Sequence, residues 1–319
     1  MPDLITRRWT YPAVILVATD LSDTERLMPF ALQQAEGIGA RLILLHVLAA
    51  GESMAVDAVG MPYYDPAGAT ESAGETLHAW CEVARQRNIA CDGMVREGNI
   101  AQQVLAVARQ FKADRIVLGT RSRSKVSKLL LGSVAEQVLR SANIPVITVG
   151  PEAHLAVDAA HPAESDAGVV LHATTLREAS RPSAALACQI ASAMNSSLVL
   201  VHVLPHVDEM ERKGLPTGAD SVAMRELRVI ASEIGGDCSL PIEPLVVHGN
   251  PAIEILAEAS ARHARLIVLG ATQRNALQDL TRDRTIYKVL AHARCPVMTL
   301  REPKGEPEEA VLGRLATHR

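Results

Sequence analysis

Aromatic side chains are nearly missing from this chain: only 3% of its 319 residues are Phe, Trp or Tyr. A core built from such a sequence must be aliphatic, assembled from Val, Leu, Ile and Ala. No apolar run approaches the length of a bilayer span, so a membrane-crossing helix is not expected. The first residues, Met1 to Trp9, carry no apolar stretch of the secretory type. Positive charge is not in excess either. A formal net charge of −4 argues against a general nucleic-acid binder, which needs a basic face. The cysteines, Cys81, Cys91, Cys188, Cys238 and Cys295, are odd in number and include no Cys-x-x-Cys pair. That usage predicts reduced thiols in a cytoplasmic protein rather than a disulfide framework. Gly-x-Ser-x-Gly, His-Glu-x-x-His and Cys/His metal spacings are also lacking, so no catalytic residue and no metal ligand is assigned.

What remains is globular in character, with 48% hydrophobic and 21% charged residues. The length favours two domains, each able to bury a core. Short apolar runs alternate with segments of helical spacing. Val14 to Asp20, Arg41 to Val47, Cys91 to Arg96, Arg115 to Gly119 and Pro145 to Val149 read as buried parallel strands. Helices are predicted over 24–37, about Glu71 to Arg87, 100–111 and 133–141, and residues 49–70 read as a long loop. Then the pattern repeats. Val169 to Thr175 echoes Val14 to Asp20, and Leu198 to Val203 echoes Leu42 to Val47. His248, Gly249 and Asn250 echo Glu97, Gly98 and Asn99, each pair marking a turn and a helix N-cap. Arg265 to Gly270 echoes Asp114 to Gly119, and Cys295 to Leu300 echoes Ile144 to Val149. The chain is a tandem duplication: a domain over 1–150, a Pro/Ala linker over 151–166, a second domain over 167–302 and a charged tail over 303–319. Strand and helix alternating five times per copy predicts a twisted parallel sheet with helices on both faces.

The stretch with the most chemistry runs from Gly119 to Ser133. A strand enters it, a helix leaves it, and Arg121, Arg123, Lys125 and Lys128 lie between. Glycines beside a helix N-terminus let backbone N–H groups approach an anion, and the helix dipole favours negative charge there. The cluster suits one small anion better than a polymer. The structural alternative is a capping box formed by Ser133 and Glu136. The spacing matches neither the Walker A loop nor the Gly-x-Gly-x-x-Gly dinucleotide fingerprint.

With these pieces in place, each copy resembles a universal stress protein domain. The residues that carry the resemblance are Ala18, Thr19 and Asp20 at the first strand end, Leu45 to Val47 on the second, and the loop from Gly119 through Gly132 and Ser133. A Pro-Val strand closes each copy. The resemblance covers 12–150 and 167–301. It implies two Rossmann-like domains of the adenine nucleotide α-hydrolase kind, each a five-stranded parallel sheet of order 3-2-1-4-5. It implies ATP at the carboxyl ends of the first and fourth strands, the topological switch point. Carried over, Ala18, Thr19 and Asp20 would face the adenosine and the backbone at Val47 the adenine edge. Gly119, Arg121 and Ser122 would pass beside ribose and phosphates, with Gly132, Ser133 and Val134 holding phosphate oxygens. A Mg²⁺ ion held mainly through the phosphates is compatible with this set. The family's second loop glycine is Ser122 here, where a positive φ would cost about 1 kcal/mol or more.

The second copy departs further. Thr175 replaces Asp20, and Asp283 and Arg284 stand where the first copy has Gly132 and Ser133. Aspartate at a helix N-terminus caps the helix and repels phosphate. The expectation is ATP in the first copy only, in a cytoplasmic stress-response protein. The two copies are expected to pair as an intramolecular pseudo-dimer through their closing strands, with further homodimerisation left to another surface. A slow ATPase and a ligand-free interaction scaffold are the competing readings. Against the first stands the lack of a visible general base, and against the second the retention of the cations, Gly132, Ser133 and Asp20 together in one copy.

Overall fold

The structure, a computed structural model, describes residues 4–49, 54–56, 59–120, 131–153, 168–206, 218–236, 241–272 and 284–302. The chain divides into two compact units, Met1–Pro151 and Glu152–Arg319. In the first, helix α1 (Leu4–Thr10) precedes β1 (Val14–Ala18), α2 (Thr24–Glu36) and β2 (Arg41–Leu48). A small antiparallel hairpin, β3 (Met54–Val56) with β4 (Pro62–Tyr64), leads into α3 (Pro66–Gln86). Strand β5 (Cys91–Glu97), α4 (Ile100–Gln110), β6 (Arg115–Gly119), α5 (Ser133–Ser141) and β7 (Val146–Val149) complete the unit. The five long strands are parallel, in the order β5-β2-β1-β6-β7. Numbered among themselves they read 3-2-1-4-5, as the resemblance implies.

Alternation along the strands fixes two core layers. Leu16, Ile43, Leu45, Val47, Ile116 and Leu118 pack on Val104, Val107, Ala135 and Val138 of α4 and α5. Residues one step away, Ile15 and Val17, are fully buried on the opposite face, where α2 and α3 lie against the sheet. Removing this aliphatic surface from water contributes roughly 25 cal/mol per Å². A charged group is nonetheless embedded at the start of β6. Arg115 is 2% exposed, and its guanidinium donates to Gln34 Oε1 and to the Trp9 carbonyl, both at 2.6 Å. Helix α1, not foreseen in the sequence, supplies that carbonyl and so ties the amino terminus to the sheet.

The second unit runs β8 (Val169–Ala173), a 3-10 turn (Glu178–Ser180), α6 (Arg181–Ala193), β9 (Ser197–Leu204), α7 (Ala219–Gly235), β10 (Ile242–His248), α8 (Pro251–Ala261), β11 (Ala264–Thr272), α9 (Arg284–His292) and β12 (Val297–Glu302). Its parallel order is β10-β9-β8-β11-β12, the same topology again. The turn motif repeats with it. Gly98 and Gly249 take φ of 117° and 145°, which glycine adopts without strain. Asn99 and Asn250 then cap α4 and α8, accepting from Gln102 N at 3.0 Å and Ala252 N at 3.1 Å.

Several expectations are corrected. The stretch 49–70 holds a hairpin, and α3 starts at Pro66 rather than near Glu71, because Asp65 caps it by accepting from Gly68 N at 2.9 Å. Cys81, Cys91 and Cys295 are free thiols, whereas Cys188 is disulfide-bonded. Linear spacing does not reveal which sulfurs fold together. The linker over 154–166 and the tail over 303–319 lie outside the described residues. No helix among the described residues is long and apolar enough to cross a membrane.

Candidate functional site

The site grows from the end of β1. Thr19 follows Ala18 and is 8% exposed; its N–H donates to the Leu45 carbonyl of β2 at 3.0 Å. Its hydroxyl donates to Asp23 Oδ1 at 2.6 Å and accepts from Leu21 N at 2.9 Å. The hydrogen bond from Leu21 N holds that residue at φ 67°, a left-handed conformation costing on the order of 1–2 kcal/mol for a residue with a Cβ. The strained turn presents Asp20. Its Oδ1 accepts from Ser22 N at 2.9 Å and Ser22 Oγ at 2.6 Å, while Oδ2 is buried with no hydrogen-bond partner among the described residues. A buried, unpaired carboxylate oxygen is costly unless a ligand completes it.

The second strand buttresses this turn. His46 is 4% exposed, and its Nδ1–H donates to the Thr19 carbonyl at 2.9 Å. His202 makes the same bond to Thr174 at 2.9 Å in the second unit. Both histidines are architectural, as their recurrence suggests. Val47 is buried on β2, facing α4 and α5.

Across the switch point, β6 ends at Gly119. A Cβ built there would overlap Asp23 Oδ2. Any side chain at position 119 would have to displace the Asp23 carboxylate, although the backbone there is ordinary strand. Burial is the main cause pushing the Asp23 carboxyl up from 3.8 to about 6; the Thr19 hydrogen bond opposes it and the neighbouring Asp20 adds to it. Thr120 comes next, its hydroxyl buried with no partner among the described residues. Gly132 N donates to the Thr120 carbonyl at 2.9 Å and brings the start of α5 back to the strand end.

Gly132, rather than Ser133, is the N-cap of α5, with Glu136 N donating to its carbonyl at 3.0 Å. The capping box does not form. Ser133 sits one residue inside the helix with its side chain exposed, and Glu136 pairs with Arg140 at 2.7 Å instead. Ser133 and Val134 thus belong to the first turn, where backbone N–H groups have no intrahelical acceptor. Arg121 and Ser122, with Arg123, Lys125 and Lys128, lie outside the described residues. Asp23 and Thr120 were missed in the sequence. The run Ser22-Asp23-Thr24 looks like any helix start, and only the fold reveals the glycine opposite Asp23.

The second unit fills the equivalent crevice. Leu176 repeats the left-handed turn at φ 60°, held by Thr174 Oγ1 at 3.2 Å. Thr175, in place of Asp20, shares a hydrogen bond with Ser180 at 2.9 Å. Glu302, 3% exposed, reaches back from the end of β12 and accepts from Ser180 Oγ at 3.3 Å and from Ser183 Oγ. A Cβ on Gly270 would collide with that carboxylate. Burial, chiefly, pushes the Glu302 carboxyl up. Each unit thus sets a carboxylate against the fourth-strand glycine, Asp23 from the helix side and Glu302 from the sheet side. Asp283 lies outside the described residues. Among the described residues no cluster of three His, Cys, Asp or Glu side chains is placed to hold a metal ion.

Comparison with known proteins agrees with this duplicated architecture. The model of the universal stress protein family matches residues 13–150 and again 168–301. A universal stress protein of Thermus aquaticus is 33% identical over 142 residues, covering 42% of this chain and 96% of the relative. The crystal structure of a universal stress protein from Archaeoglobus fulgidus superposes with a TM-score of 0.69 at 19% identity, covering 91% of this chain and 98% of that one. Another universal stress protein from Archaeoglobus fulgidus, solved in complex with dAMP, aligns over 43% of this chain and 98% of its own at 24% identity, with a TM-score of 0.33. Matched by its family twice along its length, the chain belongs to the universal stress protein family.

Proposed function

We propose that the first unit binds an adenine nucleotide, ATP in particular, in the crevice between β1 and β6, and that occupancy serves a stress-response signalling role in the cytoplasm. The observation that carries this reading is Asp20 Oδ2: buried, unpartnered among the described residues, and held at the switch point by a strained turn. A ribose hydroxyl is the natural donor for it. Gly119 seats the Asp23 carboxylate against the strand end, and the first turn of α5 at Gly132, Ser133 and Val134 offers N–H groups and a positive dipole end to phosphates. These residues fit the ligand. Arg121 and Ser122 are assigned to the same phosphates on sequence grounds, and Mg²⁺ would enter through the phosphates rather than through a protein cage.

The second unit is proposed to bind no nucleotide. Thr175 lacks the carboxylate, and Glu302 with Ser180 and Ser183 already fills the crevice with a closed hydrogen-bonded set. An anion arriving there would meet a buried acid.

Titrating ATP into the Asp20→Ala variant tests the reading. Losing a ribose hydrogen bond should weaken binding about tenfold or more, on the order of 1.4 kcal/mol. Unchanged affinity would remove Asp20 from the site. Single-turnover phosphate release tests the slow ATPase, and a rate equal to that of free ATP would exclude it.

A further inference from the structure

A pair of thiols lies beside a cleft on the first unit, at its edge strand β5. Cys81 on α3 and Cys91 at the start of β5 are both free and buried, at 1% and 4% exposure, with their sulfurs 2.9 Å apart. Such closeness follows from Gly93. A Cβ there would stand 2.9 Å from Leu77 Cβ, so only glycine lets α3 settle low enough on the strand to bring Cys81 over Cys91. Above Cys81 is a cleft of about 270 Å³, lined by Gly74, His78, Cys81, Arg85, Asp92 and Gly93. Four of these residues, 74, 78, 81 and 85, fall on one face of α3. Arg85 lies at the rim, donating to the Cys91 carbonyl at 3.2 Å and paired with Glu82.

We propose that Cys81 and Cys91 form an oxidisable dithiol that reacts with hydrogen peroxide entering this cleft and closes to a disulfide. Cys81, which lines the cleft, is the attacking sulfur; Cys91, behind it, is the resolving one. In the first step the Cys81 thiolate attacks a peroxide oxygen, the O–O bond breaks, and water leaves with the thiol proton. In the second the Cys91 sulfur attacks the Cys81 sulfenic acid, the S–O bond breaks, and a second water leaves. Two thiols are oxidised and one peroxide is reduced. Closing from 2.9 Å to a bond near 2.05 Å needs a shift of under about 1 Å. The hydrogen bond donated by the Cys91 thiol and the Arg85 charge lower the Cys81 pKa, while acting as that donor, together with burial, raises the Cys91 pKa, which fits the assigned order. Cys295 offers a contrast: it is a buried free thiol, and burial pushes it up to about 12.

The full chain, reduced and desalted, would be treated with hydrogen peroxide, denatured, alkylated with N-ethylmaleimide and digested with trypsin. Cleavage after Arg41, Arg85, Arg87 and Arg96 separates the two cysteines into peptides 42–85 and 88–96. The expected product is these peptides joined by a disulfide, with Cys295 still alkylated. Recovery of both peptides unlinked and alkylated would overturn the proposal, as would linkage of either to another cysteine. In Cys91→Ser, dimedone should trap a sulfenic acid on Cys81, whereas in Cys81→Ser it should trap none on Cys91. The reverse pattern would overturn the assignment of roles.

Discussion

Glu302 occupies the space that a side chain on Gly270 would need, and the hydroxyls of Ser180 and Ser183 hold its carboxylate there. In the first unit Asp23 stands in the same relation to Gly119. One topology has therefore placed an acid at the same point twice, with different consequences for the crevice. In the first unit Asp20 is left with an oxygen that has no partner among the described residues; in the second, Glu302 and its serines close the space.

Substituting Gly270→Ala should force Glu302 out of its seat and destabilise the second unit by about 1–3 kcal/mol, the usual cost of overpacking. In a Glu302→Ala background the same substitution should cost less, with a coupling of about 1 kcal/mol or more in a denaturation double-mutant cycle. Additive costs would mean that Glu302 does not occupy that space.

Asp23 should make the first unit less stable as pH rises. Its folded pKa of about 6 exceeds the ordinary 3.8, so the folded state holds a proton that the unfolded chain has released. This contribution is complete below pH 3.8 and is lost as pH rises through 6, amounting to at most about 3 kcal/mol. Both tryptophans, Trp9 and Trp80, lie in this unit, so their fluorescence can follow its unfolding in urea. Asp23→Asn should flatten the fall between pH 4 and 6. An identical slope in variant and parent would contradict the burial argument.

His172 predicts the opposite slope in the second unit. It is fully buried in β8 and its Nδ1–H donates to the Val268 carbonyl at 3.0 Å; burial lowers its pKa from 6.5 to about 4. A depressed pKa gives stability that is present above pH 6.5 and lost as pH falls through 4, about 3 kcal/mol in all. Its imidazole resonances should therefore stay those of the neutral ring at pH 5. Titration near 6.5 would show that the ring is solvated.

Much of this was legible in the chain. The repeat, the parallel sheet and the Asn99 and Asn250 caps follow from apolar periodicity and turn residues, which act locally, whereas the strand order came with the family resemblance. Ala18, Thr19, Asp20, Gly119 and Gly132 stand out in the chain because strand ends and glycines carry the family resemblance, and the structure places them at the ends of β1 and β6 and the start of α5. Asp23, Thr120 and Glu302 were not, because their importance comes from what lies opposite them in space. Glu302 in particular looked like the edge of a charged tail. The capping box failed for a different reason: Ser133 and Glu136 have the right spacing, but the helix starts one residue early, at a glycine held by Thr120.

The central claim, one nucleotide site per chain in the first unit, is tested most directly by calorimetric titration of the full chain with ATP and Mg²⁺. Gly132→Asp should abolish binding without unfolding α5, since aspartate is a good N-cap yet repels phosphate, while Gly270→Ala should leave it intact. The account predicts a stoichiometry of one that follows this pattern. A stoichiometry of zero or two, or a single site that survives Gly132→Asp, would contradict it.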